Sequence, residues 1–236
     1  MQWLGFYWSS NSTVHGRFSK DTLTIVSNTL NSFIYLASQS PRRQEILMQM
    51  GVCFEMLAPL PGEDSESIEI PLPQEQARAY VERVTLAKST AALKRWQQNQ
   101  LAWAPILCAD TTVSLPKQID GEILGKPIDA LDAARILTML SGKVHEVLTA
   151  VDMTITPTEK PLCLVQVSKV QFANLTPKQI DTYIASGEPF GKAGAYGIQG
   201  LGGAFIPSIT VSYSGIMGLP IYETTQLLDR AQVTRI

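Results

Sequence analysis

A strand that leads directly into a helix near the start of the chain constrains the fold most. Residues 33–37 are β-branched and aromatic, which predicts a buried strand. Ser40 and Pro41 then supply the N-cap and the first-position proline that open a helix, and we expect this helix to stop at Gly51. The unpaired N–H groups of such a helix N-terminus point into solvent, where the helix dipole favours negative charge.

Two arginines in the first turn of this helix indicate what that charge is. Arg42 and Arg43 lie where the dipole disfavours cations, unless an anion offsets them. Their planar guanidinium groups suit phosphate oxygens. We therefore predict a phosphate site here; the alternative is that Ser40 and Pro41 only cap the helix and that the arginines are solvated.

The composition limits the partners of such a site. The 236 residues are 45% hydrophobic and 17% charged with a net charge of −2, which is typical of an ordinary globular protein without a bulk field for nucleic acid or acidic membranes. No run approaches the roughly 18 apolar residues of a membrane span. We expect a cytoplasmic protein without nucleic-acid or membrane partners, formed as one large domain or as two lobes with a cleft, and we favour two lobes.

The cysteines and histidines leave carboxylates as the residues that would bind a metal. Cys53, Cys108 and Cys163 are far apart and lie in apolar runs, so we expect reduced core residues rather than disulfides or a zinc site. His15 and His145 are the only histidines, and His145 at a strand start is expected to be structural.

Two side chains farther along are candidates for chemistry. Residues 74–98 read as a long helix, and Lys88 falls on its buried stripe, where its ammonium either snorkels to the edge or points into a site. Residues 105–109 read as an apolar strand that ends at Asp110. Because open α/β sheets bind ligands beyond the carboxyl ends of their strands, this carboxylate is a functional candidate.

The remaining pattern predicts a hairpin, an antiparallel ribbon and further helices. The hairpin, with a turn at Asp120-Gly121, would place Lys126 at its foot. The other predicted elements are a helix over 129–140, paired strands over 144–156 and 162–173, a helix from a capping box at Thr176 to Gly187, short strands over 209–213 and 216–219, and a helix over 220–229.

Residues 188–205 are rich in glycine but lack a dinucleotide fingerprint. Gly200 and Gly202 have no third glycine at the required spacing, which disfavours a nicotinamide-dependent oxidoreductase. We predict a close-packed turn that lets the backbone approach a flat ligand, with Lys192 and Gln199 as its polar groups.

Six motifs together resemble a known family. They are Ser38-Gln-Ser-Pro-Arg-Arg43, Ala109-Asp-Thr111, Gly125-Lys-Pro127, Ser141-Gly-Lys-Val-His145, Lys192-Ala-Gly-Ala-Tyr-Gly-Ile-Gln-Gly-Leu-Gly-Gly203 and Gly218-Leu-Pro220. Over residues 33–228 the chain resembles the Maf-like nucleoside triphosphate pyrophosphatases. The resemblance implies a two-lobed mixed α/β fold of the Maf/ITPase type, with a long twisted mixed sheet, flanking helices and a central cleft.

The resemblance also implies a domain organisation and a reaction. A single catalytic domain would cover residues 33–230, with a poorly ordered extension over 1–32, or alternatively an extra edge element there, and a tail over 231–236. The enzyme would hydrolyse nucleoside triphosphates to the monophosphate and pyrophosphate with a divalent cation such as Mg, Mn or Co. A homodimer is compatible with this assignment.

Carried over by position, the family's motifs assign the site. Asp110 would be the catalytic carboxylate, acting as the base for water or as a metal ligand, and Glu63 would join it on the metal side. The acidic loop is shifted, so that Glu63 and Asp64 are hard to tell apart. The residues implied to bind the triphosphate are Ser38, Ser40, Arg43, Lys88 and Lys126.

Three further positions distinguish the branches of the family. Arg42, Thr111 and Gln199 match the branch that acts on dTTP and UTP rather than 7-methyl-GTP, and a glutamine amide offers a donor and an acceptor to a pyrimidine edge. The chain departs from the family at Thr210-Val211, where Asn-Gly is usual, and in a hairpin lengthened over 116–120. The competing hypothesis is a non-catalytic nucleotide-binding regulator of septum formation, but such a binder gains nothing from Asp110 beside a triphosphate without metal.

Overall fold

A mixed β-sheet with helices on its faces organises the chain. The computed structural model describes residues 30–63, 67–116 and 122–235. Residues 1–29 of the extension predicted over 1–32, Asp64 and the turn predicted at Asp120-Gly121 lie outside these described residues. The strands are β1 (Ile34–Leu36), β2 (Phe54–Met56), β3 (Ile106–Ser114), β4 (Ile123–Leu124), β5 (Val144–Thr154), β6 (Leu162–Gln171) and β7 (Ser208–Thr210). The α-helices are α1 (Pro41–Gln49), α2 (Ala77–Gln98), α3 (Ala130–Leu140), α4 (Pro177–Ala185), α5 (Tyr213–Met217) and α6 (Ile221–Arg230), and 3₁₀ turns cover Ser67–Glu69, Ala193–Ala195 and Leu201–Phe205.

The strand order is β2-β1-β3-β5-β6-β7, with β4 pairing to β3. β1 runs parallel to β2 and to β3, whereas β3, β5, β6 and β7 are successively antiparallel. The predicted ribbon is confirmed, because β5 and β6 pair from Val144↔Gln171 to Met153↔Leu162. The expected mixed sheet with flanking helices is therefore the fold of this chain.

Strand β3 is longer than predicted, and this changes where Asp110 lies. The strand does not end at Ala109 but continues to Ser114, with Asp110 paired to Ala150 of β5. β-branched residues follow Asp110 and favour the extended backbone. Asp110 therefore lies in the middle of a strand, and the prediction that it follows the strand's carboxyl end is wrong.

The cleft forms where the sheet is open on one side of β3. β5 pairs along the whole of β3, while on the opposite edge β1 stops after Leu36↔Leu107 and β4 begins only at Val113↔Leu124. Among the described residues, no strand pairs with that edge over residues 108–112. The carboxyl end of β1 and the start of α1 thus lie beside the middle of β3.

Most predicted helices are confirmed, including the Thr176–Gln179 capping box of α4. The short strand predicted over 216–219 is wrong, because α5 occupies this position. The Ser212 hydroxyl accepts the N–H of Gly215 and caps α5, and Gly218 ends it in the left-handed region at φ 110°. Val211 also has a positive φ, of 92°, at the position where the resembled family has glycine.

Two hydrophobic clusters lie on either side of the cleft. One contains Val113 and Tyr196, and the other contains Ala109 and Met217, and all four side chains also line the cleft. His145 is fully buried in the first cluster, with Nε2 2.8 Å from the Tyr196 hydroxyl. Burial lowers the pKa of His145 to about 3, so the ring is neutral and packs as a structural residue.

The cysteines are free, as expected, but only Cys108 is a core residue, since Cys53 and Cys163 are exposed.

At the borders of the domain, the N–H of Asn31 donates to Gln232 O and the N–H of Thr234 donates to Asn31 O, each at 2.9 Å. The tail after α6 therefore packs on the body together with residue 31. No helix in the described part of the chain is long and apolar enough to cross a membrane.

Candidate active site

A cleft of about 780 Å³ covers the open edge of β3 and brings together residues that are distant in sequence. It is lined by every predicted site residue except Glu63. These are Ser38, Ser40, Arg42, Arg43, Lys88, Asp110, Thr111, Lys126 and Gln199. Glu69, Glu188 and Lys192 also line it.

A chain of alternating charges occupies one wall of the cleft. The Lys88 ammonium donates to Asp110 Oδ1 at 2.6 Å and to Glu69 Oε1 at 2.7 Å. The Lys126 ammonium donates to Glu69 Oε2 at 2.6 Å. Lys88 therefore points into the site rather than snorkelling to the edge of its helix, and its ammonium is bonded to two carboxylates of the cleft.

Burial strengthens the attraction between the charges of this row of side chains. The Asp110 residue is only 7% exposed, whereas the Lys126 side chain is 52% exposed at the mouth of the cleft. Burial by itself would raise the pKa of Glu69, but Lys88 and Lys126 outweigh it and hold this pKa below its ordinary value. Glu69 is therefore an anion at neutral pH, positioned between two cations.

Glu69, and not Glu63, is the acidic-loop residue at this site. The Glu63 carboxylate accepts hydrogen bonds from Arg95 Nε at 2.8 Å and from the Leu60 N–H at 3.1 Å. The hydrogen bond from Arg95 lowers the pKa of Glu63, and this pair neutralises an arginine that is 5% exposed. Because the loop is acidic throughout and has no periodicity, its sequence does not rank its carboxylates.

The main chain around Glu69 is held by two side chains of α2. The Tyr80 hydroxyl donates to Glu69 O at 2.7 Å. Arg83 donates to the carbonyls of Ile68 and Ile70, each at 3.1 Å, and is itself paired with Glu75. The helix that carries Lys88 thus also fixes the segment that carries its partner.

Arg43 on the opposite wall is held on three sides. Its Nε donates to Gly218 O at 2.8 Å, Nη1 to Ser38 Oγ at 2.9 Å and Nη2 to Thr111 Oγ1 at 3.3 Å. A guanidinium has five N–H groups, so one remains on each terminal nitrogen. Burial lowers the pKa of Arg43 from its ordinary value, and Asp110 acts in the opposite direction.

Thr111 contacts Arg43 as part of a hydroxyl chain. The Thr149 hydroxyl donates to Gly215 O at 2.8 Å and lies 2.9 Å from the Thr111 hydroxyl. Because a hydroxyl has one hydrogen, Thr111 donates to Thr149 and accepts from Arg43. Alternation along β3 turns Thr111 to the face of the sheet opposite Asp110, which explains why these neighbours have different partners.

The other predicted residues occupy the rim of the cleft. The Arg42 Nε donates to Met217 O at 3.3 Å. Ser40 is the N-cap of α1 by position, but its hydroxyl makes no capping hydrogen bond, so the predicted side-chain cap is not formed. Gln199 lines the cleft, as does Lys192, whose pKa is lowered by burial and by Arg42.

Comparison with known proteins agrees with this geometry. The family model described as "Maf-like protein" matches residues 33–231. A protein named dTTP/UTP pyrophosphatase from Albidiferax ferrireducens is 52% identical over 201 residues, which cover 85% of this chain and 97% of that protein. Proteins of the same name from Ralstonia nicotianae and Burkholderia orbicola are 54% and 52% identical, covering 85% and 88% of this chain and 95% and 97% of their own lengths. With a match over most of its length and relatives half identical to it, the chain belongs to the Maf-like protein family.

Proposed function

We propose that this protein is a nucleoside triphosphate pyrophosphatase that hydrolyses dTTP and UTP to the monophosphate and pyrophosphate. The observation that carries the proposal is the cleft in which Asp110, Lys88 and Glu69 form one hydrogen-bonded group opposite Arg43. The relatives named dTTP/UTP pyrophosphatase support the choice of reaction and of nucleotides.

The cations of the cleft suit a triphosphate. Arg43 retains an N–H on each terminal nitrogen, and the N-terminus of α1 adds backbone N–H groups and the positive end of its dipole. Lys126 is half exposed at the mouth, where it can meet the terminal phosphates. Ser38 supports Arg43 through its hydroxyl, and Ser40 adds a second hydroxyl to the same wall.

The chemical step is the attack of water at the α-phosphorus. The water oxygen forms a bond to this phosphorus, the bond to the oxygen bridging the α- and β-phosphorus breaks, and pyrophosphate leaves. Asp110 accepts the proton of the attacking water, and Lys88 holds its carboxylate in place. Lys88 and Arg43 stabilise the charge that develops on the phosphate oxygens.

The carboxylates of the cleft fit a divalent cation such as Mg, Mn or Co. Mg²⁺ is usually held by one or two carboxylates together with substrate phosphates. Glu69 and Asp110 both bond to Lys88, so their oxygens lie near each other, and the described residues contain no group of three acidic, His or Cys side chains that would hold a metal without substrate. When bound, the cation would neutralise charge on the phosphate oxygens.

Base selection is assigned to the wall that carries Gln199. Its amide offers both a donor and an acceptor to the edge of a pyrimidine, and Arg42 lines the same cleft. Thr111 contributes through Arg43 rather than through the base, because its hydroxyl is occupied by Arg43 and Thr149.

The experiment is an assay of products across dTTP, UTP, CTP, dATP, dGTP and 7-methyl-GTP, with the divalent metal varied. We expect one pyrophosphate per monophosphate and the highest kcat/KM for dTTP and UTP. In ¹⁸O-labelled water the label should enter the monophosphate and not the pyrophosphate. Release of inorganic phosphate, label in pyrophosphate, or binding of nucleotides without turnover would refute the proposal.

A further inference from the structure

Two hydrogen-bonded side chains, Glu188 and Tyr183, hold the two sides of the turn that carries Gln199. Glu188 Oε2 accepts the N–H of Leu201 at 2.8 Å, and Oε1 accepts the N–H of Gly202 at 3.0 Å. Oε1 also accepts the Tyr183 hydroxyl at 2.9 Å. The Tyr183 oxygen in turn accepts the N–H of Gly197 at 3.2 Å, so both sides of the turn end on the same pair of side chains.

This pair explains two glycines of the turn, Gly200 and Gly202. A Cβ added at Gly200 would collide with the Glu188 carboxylate, and one at Gly202 would lie 2.7 Å from the Tyr183 hydroxyl. The sequence predicted that these glycines let the backbone approach a flat ligand. In the structure Gly200 and Gly202 let the backbone approach Glu188 and Tyr183, which confirms the close packing, and the approach to a flat ligand stays a prediction.

The pair is anchored to rigid structure. Tyr183 lies on α4 and is buried in the hydrophobic cluster that also contains Phe205. Burial by itself would raise the pKa of Glu188, but the N–H groups of Gly202 and Leu201 and the Tyr183 hydroxyl outweigh it and lower this pKa. Glu188 therefore accepts these bonds as an anion, which makes them stronger than bonds between neutral groups.

We propose that Glu188 is a positioning residue for nucleotide selection, which fixes the location of Gln199 by holding the following side of the turn directly and the preceding side through Tyr183. The inference rests on the proposed function, because it requires Gln199 to meet the base. A displacement of about 1 Å at a binding group can cost on the order of a hundredfold in rate, so a carboxylate behind the turn can control selection without touching the nucleotide.

The test compares Glu188→Gln with Gln199→Ala and with the double variant. Glutamine keeps the shape of Glu188 but places an amide NH₂ against the N–H groups of the turn. We measure kcat/KM for dTTP and for dGTP, together with Tm. The ratio of the two values should fall about tenfold in Glu188→Gln, mainly through a higher KM for dTTP, and the double variant should lose no more than Gln199→Ala alone.

Tyr183→Phe is the milder second variant, since it removes one donor to Glu188 and the acceptor for Gly197 N–H. It should lower the same ratio by a smaller factor, and it decides the matter if Glu188→Gln does not fold. A fall in Tm with an unchanged dTTP to dGTP ratio, equal losses for both nucleotides, or additive losses in the double variant would overturn the inference. In each of these outcomes the unmutated protein still hydrolyses dTTP, whereas failure of the proposed function is seen as no pyrophosphate release by the unmutated protein.

Discussion

The Lys88 ammonium lies 2.6 Å from Asp110 Oδ1, in a contact that joins helix α2 to the middle of strand β3. Both side chains are largely buried, with exposures of 19% for Lys88 and 10% for Asp110. This contact fixes one oxygen of the carboxylate that we assign as the base. The side-chain amide of an asparagine at position 110 could keep this hydrogen bond. The role of Asp110 in the reaction can therefore be tested without losing its contact in the fold.

Asp110→Asn should lower kcat by about 10²-fold or more while the protein stays folded, because asparagine can accept from Lys88 but cannot take a proton from water. Asp152→Asn is the matched control, since Asp152 is also buried in this sheet, on β5, but does not line the cleft. Steady-state assays and circular dichroism check both variants. Near-normal turnover in a folded Asp110→Asn protein would remove Asp110 from the chemistry.

Glu69→Gln and Glu63→Gln should have different effects. Glu69→Gln removes a charge between Lys88 and Lys126, and we expect the metal concentration at half-maximal activity to rise about tenfold. Glu63→Gln leaves Arg95 without a counter-charge and should lower the free energy of unfolding by about 1–2 kcal/mol, with a smaller change in metal requirement. Metal titrations and urea unfolding distinguish the two, and the reverse pattern would restore Glu63 to the metal side.

Arg43→Lys should raise KM for every triphosphate by about tenfold or more, because an ammonium cannot reach Gly218, Ser38 and Thr111 while presenting two parallel N–H groups. Thr111→Val keeps the β-branched shape and removes only the hydroxyl, so its effect should be smaller and equal for all nucleotides. Substrate titrations over the nucleotide panel measure this. A change of base preference in Thr111→Val would show that Thr111 reads the base directly.

Gln199→Glu should depress turnover of dTTP and UTP more than that of the purine triphosphates, because an ionised carboxylate offers only acceptors to the base. Each lost hydrogen bond to a base edge discriminates by about 1–3 kcal/mol. Ratios of kcat/KM between nucleotides are the measurement. If all triphosphates fall by the same factor, Gln199 supports the turn and does not select the base.

Asp152 should make the stability of the protein depend on pH. The Ser89 hydroxyl donates to Asp152 Oδ1, and Oδ2 is buried without a hydrogen-bond partner among the residues that the structure describes. Cys108 and Cys163 are its neighbours across the sheet, and the pKa of each thiol is raised to about 12, so both are protonated. Burial raises the pKa of Asp152 from 3.8 to about 7, so the native state binds this proton more tightly than the unfolded state does.

The contribution of Asp152 to the free energy of unfolding is fully present below about pH 4 and is lost as the pH rises through about 7. Asp152→Asn abolishes that loss and should gain stability over the unmutated protein as the pH rises, by on the order of 2–4 kcal/mol at pH 8. Urea unfolding at pH 5, 6.5 and 8 measures the difference. Parallel pH profiles for the two proteins would show that Asp152 is not the group responsible.

Local sequence patterns determined most of the helices and strands. The proline and cap that open α1, the capping box of α4 and the alternation of β5 and β6 act between residues a few positions apart, so they can be read without the fold. Motifs of the Maf-like family supplied the candidates that line the cleft. The strand predicted over 216–219 is wrong, because a serine cap and a left-handed glycine form the five-residue helix α5, which is too short to show periodicity.

The tertiary structure alone decided which of these side chains meet. Asp110 lies in the middle of β3 because this strand pairs with β5 beyond Ala109. Thr111 contacts Arg43 because side chains alternate between the two faces of the same strand. Glu69 lines the cleft, and Glu63 does not. Two side chains of α2 bond the main chain around Glu69, and the sequence of the acidic loop does not encode these contacts. Such choices depend on contacts between residues far apart in the chain, and their energies exist only after the sheet and α2 have packed together.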